Sequence, residues 1–140
     1  MKYSDSHDYM AYAQSKTRGD ITSAKLSLAA CLILPEFKNE PHQYADLLQR
    51  MGELCLLDGE RERALKYYEE SEMADPDSLL VKYYRAEFLG MRIGDKKAAA
   101  AICDQIVSIA RDRPFAESDD DFSSDAYIEK AERLKSSLLS

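Results

Sequence analysis

The chain contains no tryptophan, only two histidines, and no apolar run longer than Leu28 to Leu34, LAACLIL. That run is far too short to cross a bilayer, so no membrane partner is expected. The first ten residues, MKYSDSHDYM, lack the apolar core of a signal peptide. Three cysteines, Cys31, Cys55 and Cys103, form no CxxC pair and fit no zinc spacing. Their odd number and apolar surroundings point to reduced, buried thiols and a cytoplasmic location. His7 and His42 have no acidic or cysteine pattern around them that would hold a metal, and both read as exposed polar residues. Nucleophile-elbow, phosphate-loop and HExxH motifs are missing too. No nucleophile, base and orienting group can be assembled, so the chain reads as a non-enzyme without cofactor or metal.

Positive charge is also in short supply. The 140 residues carry a net charge of −7, which disfavours the phosphates of nucleic acids and favours basic or neutral partners. Lys82, Arg85, Arg92, Lys96 and Lys97 form a modest basic cluster, too small to reverse that expectation. The acidic stretch ESDDDFSSD places Asp119, Asp121, Ser123 and Asp125 at calcium-loop spacing. Ser124 stands at the glycine position and Lys130 at the glutamate position, so it reads as a solvated linker.

Glycine and proline are few, five and four, and they act as punctuation. Between them the chain is rich in helix formers and shows no β-branched alternation, which predicts an all-α fold of about seven helices. The first should run from about Asp5 to Thr17. The second follows Asp20 toward Pro35, and EFKNEPHQ turns the chain. Tyr44, Leu47, Leu48, Met51, Leu54 and Cys55 mark the third. The fourth, about Glu60 to Met73, has Ala64, Leu65, Tyr68 and Ser71 inward. Leu80, Tyr83, Tyr84, Phe88 and Leu89 mark the fifth. The sixth begins near Asp95 and carries Ile102, Ile106, Val107 and Ile109. A seventh, about 126–139, should bury Ile128, Ala131, Leu134, Leu138 and Leu139.

A small-turn-then-alanine signature recurs, with Gly19, Gly59 and Gly94 each followed five residues later by Ala24, Ala64 and Ala99. Gly59 and Gly94 lie 35 residues apart; Gly19 and Gly59 lie 40 apart, with the excess placed in EFKNEPHQ. The central unit carries Leu48, Met51, Gly52, Cys55, Gly59, Ala64, Tyr68 and Pro76. This resembles the tetratricopeptide repeat family, whose 34-residue helix–turn–helix unit prefers a large residue, leucine, glycine, tyrosine, glycine, alanine, an aromatic and proline there. Ser71 stands where a second alanine is usual. In the third unit Gly94, Ala99, Cys103 and Ile106 fit the second helix, while the first fits only with one residue inserted near Gly90, which puts Ala86 at the small position and Leu89 at the large one. The first unit is weakest, with Asp8 and Ser15 at large-residue positions.

The resemblance implies one tetratricopeptide-like domain, an α-solenoid of repeats at about 4–37, 41–77 and 78–112. An acidic linker, 113–125, and a capping helix, 126–139, would follow. In that family the first helix of each hairpin lines a concave surface. Here Tyr9, Ala13, Lys16, Asp46, Gln49, Glu53, Leu56, Tyr83, Tyr84 and Glu87 would line it, mixed aromatic and acidic. The implied function is adaptor- or chaperone-like binding of a protein segment with apolar anchors and a basic side chain. The terminal-carboxylate clamp of chaperone-binding members is not expected, because the single asparagine, Asn39, falls in a turn. The alternative is a structural assembly protein that self-associates, as a homodimer in its simplest form.

Overall fold

The computed structural model describes residues 6–112 and 124–140. Among these, every regular element is helical: α1 (His7–Thr17), α2 (Ile21–Leu32), α3 (Pro35–Lys38), α4 (Pro41–Leu57), α5 (Arg61–Ala74), α6 (Leu79–Glu87), a π-helical segment (Phe88–Ile93), α7 (Lys96–Asp112) and α8 (Ser124–Leu139). The chain divides into two compact units, Met1–Pro76 and Asp77–Ser140.

Short polar residues set the helix starts. Ser6, Asp20, Ser78 and Asp95 accept hydrogen bonds from the backbone N–H of Tyr9, Ser23, Val81 and Ala98 at 3.1–3.3 Å. Each satisfies a donor that has no partner within its helix. The hairpin turns end on Gly19, Gly59 and Gly94, with φ of 77°, 77° and 87°, a region that strains any residue with a Cβ. Beyond two of these glycines the backbone repeats itself. The N–H of Asp20 returns to the carbonyl of Ser15 at 2.9 Å, and that of Glu60 to Cys55 at 2.8 Å. This is the six-residue closure of a Schellman motif.

In the N-terminal unit, α1 packs on α2, α2 on α4, and α4 on α5. Gly52 sits at a close approach of α4 and α5. A Cβ there would lie 3.3 Å from the carbonyl oxygen of Ala64 and 3.3 Å from the Tyr68 ring. The sequence assignment of Gly52 and Ala64 to helix contact therefore holds. Ser71 keeps the small size the position requires and adds a bond, its hydroxyl donating to the Ala45 carbonyl at 2.5 Å. Two expectations change. EFKNEPHQ is not only a turn, because Pro35, at the first helical position, opens the four-residue α3, and that places Phe37 fully in the core. His42 is not a free surface residue, since its Nδ1 lies 2.9 Å from Asp75 Oδ2.

In the C-terminal unit, α6 packs on α7 and α7 on α8. Their core gathers Leu79, Ala86, Ala99, Ile102, Cys103, Ile106, Ala110, Tyr127, Ala131, Leu134 and Leu138. The last helix thus covers α7 with a stripe at positions i, i+4, i+7 and i+11. That stripe includes Tyr127, which the sequence reading missed, and it leaves Leu139 exposed. α8 starts at Ser124, two residues before the expected start, while the calcium-loop question and most of the acidic linker lie outside the described residues. α6 also turns differently than expected. Leu79, Val81, Lys82, Ala86 and then Phe88 are buried, whereas Leu80, Tyr83, Tyr84 and Leu89 are only partly so. Lys82 accordingly leaves the expected basic cluster, of which Arg92, Lys96 and Lys97 remain exposed. A lysine can occupy such a position because its long aliphatic stem packs like a hydrophobe.

Candidate functional site

The residues expected to line a binding surface fall into two sets, one in each unit. In the N-terminal unit, α1 supplies Tyr9, Ala13 and Lys16, and α4 supplies Asp46, Gln49, Glu53 and Leu56. The structure brings several of these together across the two helices. Lys16 Nζ donates to Glu53 Oε1 at 2.7 Å, and the Arg50 guanidinium lies 5.6 Å from the centre of the Tyr9 ring. Tyr9 in turn meets Tyr12 with ring centres 5.2 Å apart. Arg50, absent from the sequence-derived set, also faces Asp46 on its own helix at 3.6 Å. Its neighbours at i−4 and i+3 are Asp46 and Glu53, so the helical spacing contained the signal that a cation belongs on this face.

The electrostatics follow from partial burial. Burial raises the Tyr9 pKa, and the nearby Arg50 charge opposes that rise only in part. For Lys16, burial disfavours the ammonium, but its hydrogen bond to Glu53 and the surrounding charges outweigh that, and the pKa ends raised. The pair remains about one-third exposed, 32% for Lys16 and 38% for Glu53. Ala13 and Leu56 are half-buried beside it. Gln49 is not available to a ligand, since only 4% of it is exposed.

In the C-terminal unit, Tyr83 and Tyr84 stand edge to face with ring centres 5.9 Å apart. Lys130 of α8 sits 4.9 Å above the Tyr83 ring. Burial, followed by the neighbouring Glu87 carboxylate, pushes the Tyr83 hydroxyl above its ordinary range. Glu87 itself is exposed. Both sets therefore share a pattern: a tyrosine ring, a cation against its face, and a carboxylate within reach.

Elsewhere the reactive groups are quiet. Cys31, Cys55 and Cys103 are free and buried, and desolvation raises each thiol's pKa, which keeps it protonated at neutral pH. Among the described residues no group of three or more His, Cys, Asp or Glu side chains is placed to hold a metal ion. No helix among them is long and apolar enough to cross a membrane. No protein-family model matches the chain, and a search of curated proteins finds no match.

Proposed function

We propose that this chain is a non-enzymatic protein-interaction module of tetratricopeptide type, cytoplasmic and adaptor- or chaperone-like. It binds a segment of another protein on the face that α1 and α4 share. The observation that carries the reading is the convergence of Tyr9, Lys16, Arg50 and Glu53 on that face, held by two rigid helices and still reached by solvent. Tyrosine offers a broad amphipathic contact at little entropic cost, and an exposed ion pair can exchange partners. A segment with an apolar anchor and a basic side chain fits best, its cation competing with Lys16 for Glu53. Tyr83, Tyr84 and Glu87 offer the same chemistry in the other unit. The tetratricopeptide assignment draws support from the repeated glycine turns and from the close approach at Gly52.

Affinity capture with the full chain from its native cell, followed by titration of the captured partner, tests the reading. Glu53→Gln is expected to weaken binding about tenfold, or ~1.4 kcal/mol, without loss of helicity. If Glu53→Gln and Glu87→Lys both leave the affinity unchanged, the surface has been misassigned.

A further inference from the structure

The run 91–97, MRIGDKK, spans the end of the π-helical segment and the start of α7, and it is the longest fully exposed run among the described residues. It gathers features that folding does not explain. Met91 and Ile93 are 60% and 44% exposed, so neither gains much from the core. Lys96 and Lys97 occupy the first two positions of α7, where the positive end of the helix dipole disfavours a cation. Asp95, the one acid of the run, is engaged with the helix itself, its carboxylate accepting from the Ala98 N–H at 3.1 Å. Among the described residues no carboxylate pairs with Arg92, Lys96 or Lys97. Lys16, Lys25, Arg63 and Lys135, by contrast, each hold a carboxylate at 2.6–2.7 Å.

We propose that the run 91–97 is a docking surface for an acidic segment of a partner protein, one that carries an apolar residue among its carboxylates. Charge identifies the occupant. At physiological salt a ligand feels charges within about 8 Å and little beyond, so three unpaired cations count for more here than the net charge of −7. Met91 and Ile93 receive the apolar residue, and a methionine side chain adapts to an anchor of varied shape. The preference is opposite to that of the α1–α4 face, which offers Glu53 to a basic side chain, so the two surfaces do not compete for one ligand.

Other anionic surfaces fit less well. Lipid headgroups are recognised by clusters of roughly four to eight cations, and a flat bilayer would also meet the acids that surround the run. Nucleic acid is held through roughly six to ten phosphate contacts, more than this run can supply. Three cations match the few carboxylates of a short segment. The contact is small, so binding is weak and reversible, and added salt weakens it further.

Selection of short random peptides displayed on phage against the full chain, followed by titration of the peptides recovered, provides the test. A class of acidic peptides carrying an apolar residue should emerge. Arg92→Glu and Lys96→Glu should each weaken that class at least about tenfold, and Ile93→Ser about threefold. Loss of folding does not confound the result. Lys96→Glu places a favourable charge at the start of α7, so its melting temperature should hold or rise while binding is lost. A selection that yields no acidic class overturns the proposal. So does an acidic class whose affinity survives both charge reversals. Retention of the chain on phosphatidylserine vesicles that Lys96→Glu abolishes, without an acidic peptide class, assigns the run to lipid and overturns it too. A dimer lost in the same variant does so in favour of a second copy. None of these outcomes bears on the α1–α4 face, where selected peptides should be basic and depend on Glu53.

Discussion

In the N-terminal unit, α4 runs as a regular helix to its glycine turn, and the N–H of Glu60 closes on the carbonyl five residues back. In the C-terminal unit, the N–H of Asp95 reaches the carbonyl of Leu89 at 2.9 Å, six residues back. The extra residue lies in the π-helical segment Phe88–Ile93, and a π-turn is what one surplus residue makes of an α-helix. Phe88 and Gly90 within this segment are buried, and the run 91–97 is exposed. The wider turn thus ends on the exposed side of the segment.

The glycines of the two units sharpen the contrast. A Cβ on Gly52 would press on a backbone oxygen and a buried ring, whereas one on Gly90 would sit 2.6 Å from Leu138 Cδ2 and 3.1 Å from the Ala99 Cβ. The largest expected effect is in the C-terminal unit. Leu138→Ala should destabilise the chain by ~2–5 kcal/mol in denaturant unfolding. Adding Gly90→Ala to that variant should recover part of the loss, because the new methyl enters the vacated space. Strictly additive effects would show that Leu138 does not rest on Gly90. Next comes Gly52→Val, where neither obstacle can step aside. A loss of ~1–3 kcal/mol is expected, measured in the same way. A neutral result would mean that α4 and α5 can slide apart.

The smallest effect distinguishes the three turns by charge. Asp20 and Asp95 cap their helices, but Glu60 makes no side-chain cap and instead accepts from Lys25 and Arg63. The Lys25 hydrogen bond, then that of Arg63, lowers the Glu60 pKa from 4.5 to about 2. A depressed carboxylate pKa means the contribution is complete above pH 4.5 and vanishes as pH falls toward 2. The melting temperature of the wild type should therefore fall more steeply across that window than that of Glu60→Gln. Parallel curves would sink the idea that the Glu60 turn is held by charge.

The helices, their glycine stops and the Gly52–Ala64 contact were legible in the sequence because each rests on local spacing. Tyr127 and Lys82 were not, for a shared reason. Both depend on the rotational phase of a helix, and a phase error of one residue exchanges neighbours such as Tyr127 and Ile128. Phe37 was hidden by a proline that reads equally well as a turn or as a helix start. The pairs His42–Asp75 and Lys16–Glu53 join residues 33 and 37 apart in sequence, and no local pattern announces such meetings. Of the expected surface residues, Tyr9, Lys16 and Glu53 converge. Gln49 is lost to burial, and its spacing gave no sign of it, because Asp46 and Glu53 at i−3 and i+4 place it among polar residues.

Packing between near neighbours along the chain also governs time. The principal contacts of every helix are with elements one or two places away. No strand must wait for a distant segment to arrive, so the entropy lost in closing each loop is small. Chains of this kind have low contact order and fold in microseconds to milliseconds, each hairpin able to serve as a starting point for the next. Lys25 is an instructive exception within that scheme. Its grip on Asp58 and Glu60 spans 33 and 35 residues, so it can form only once α2 and the second hairpin's turn are both in place. It should therefore register late in folding and early in unfolding, as a clasp fastened after the pieces it joins.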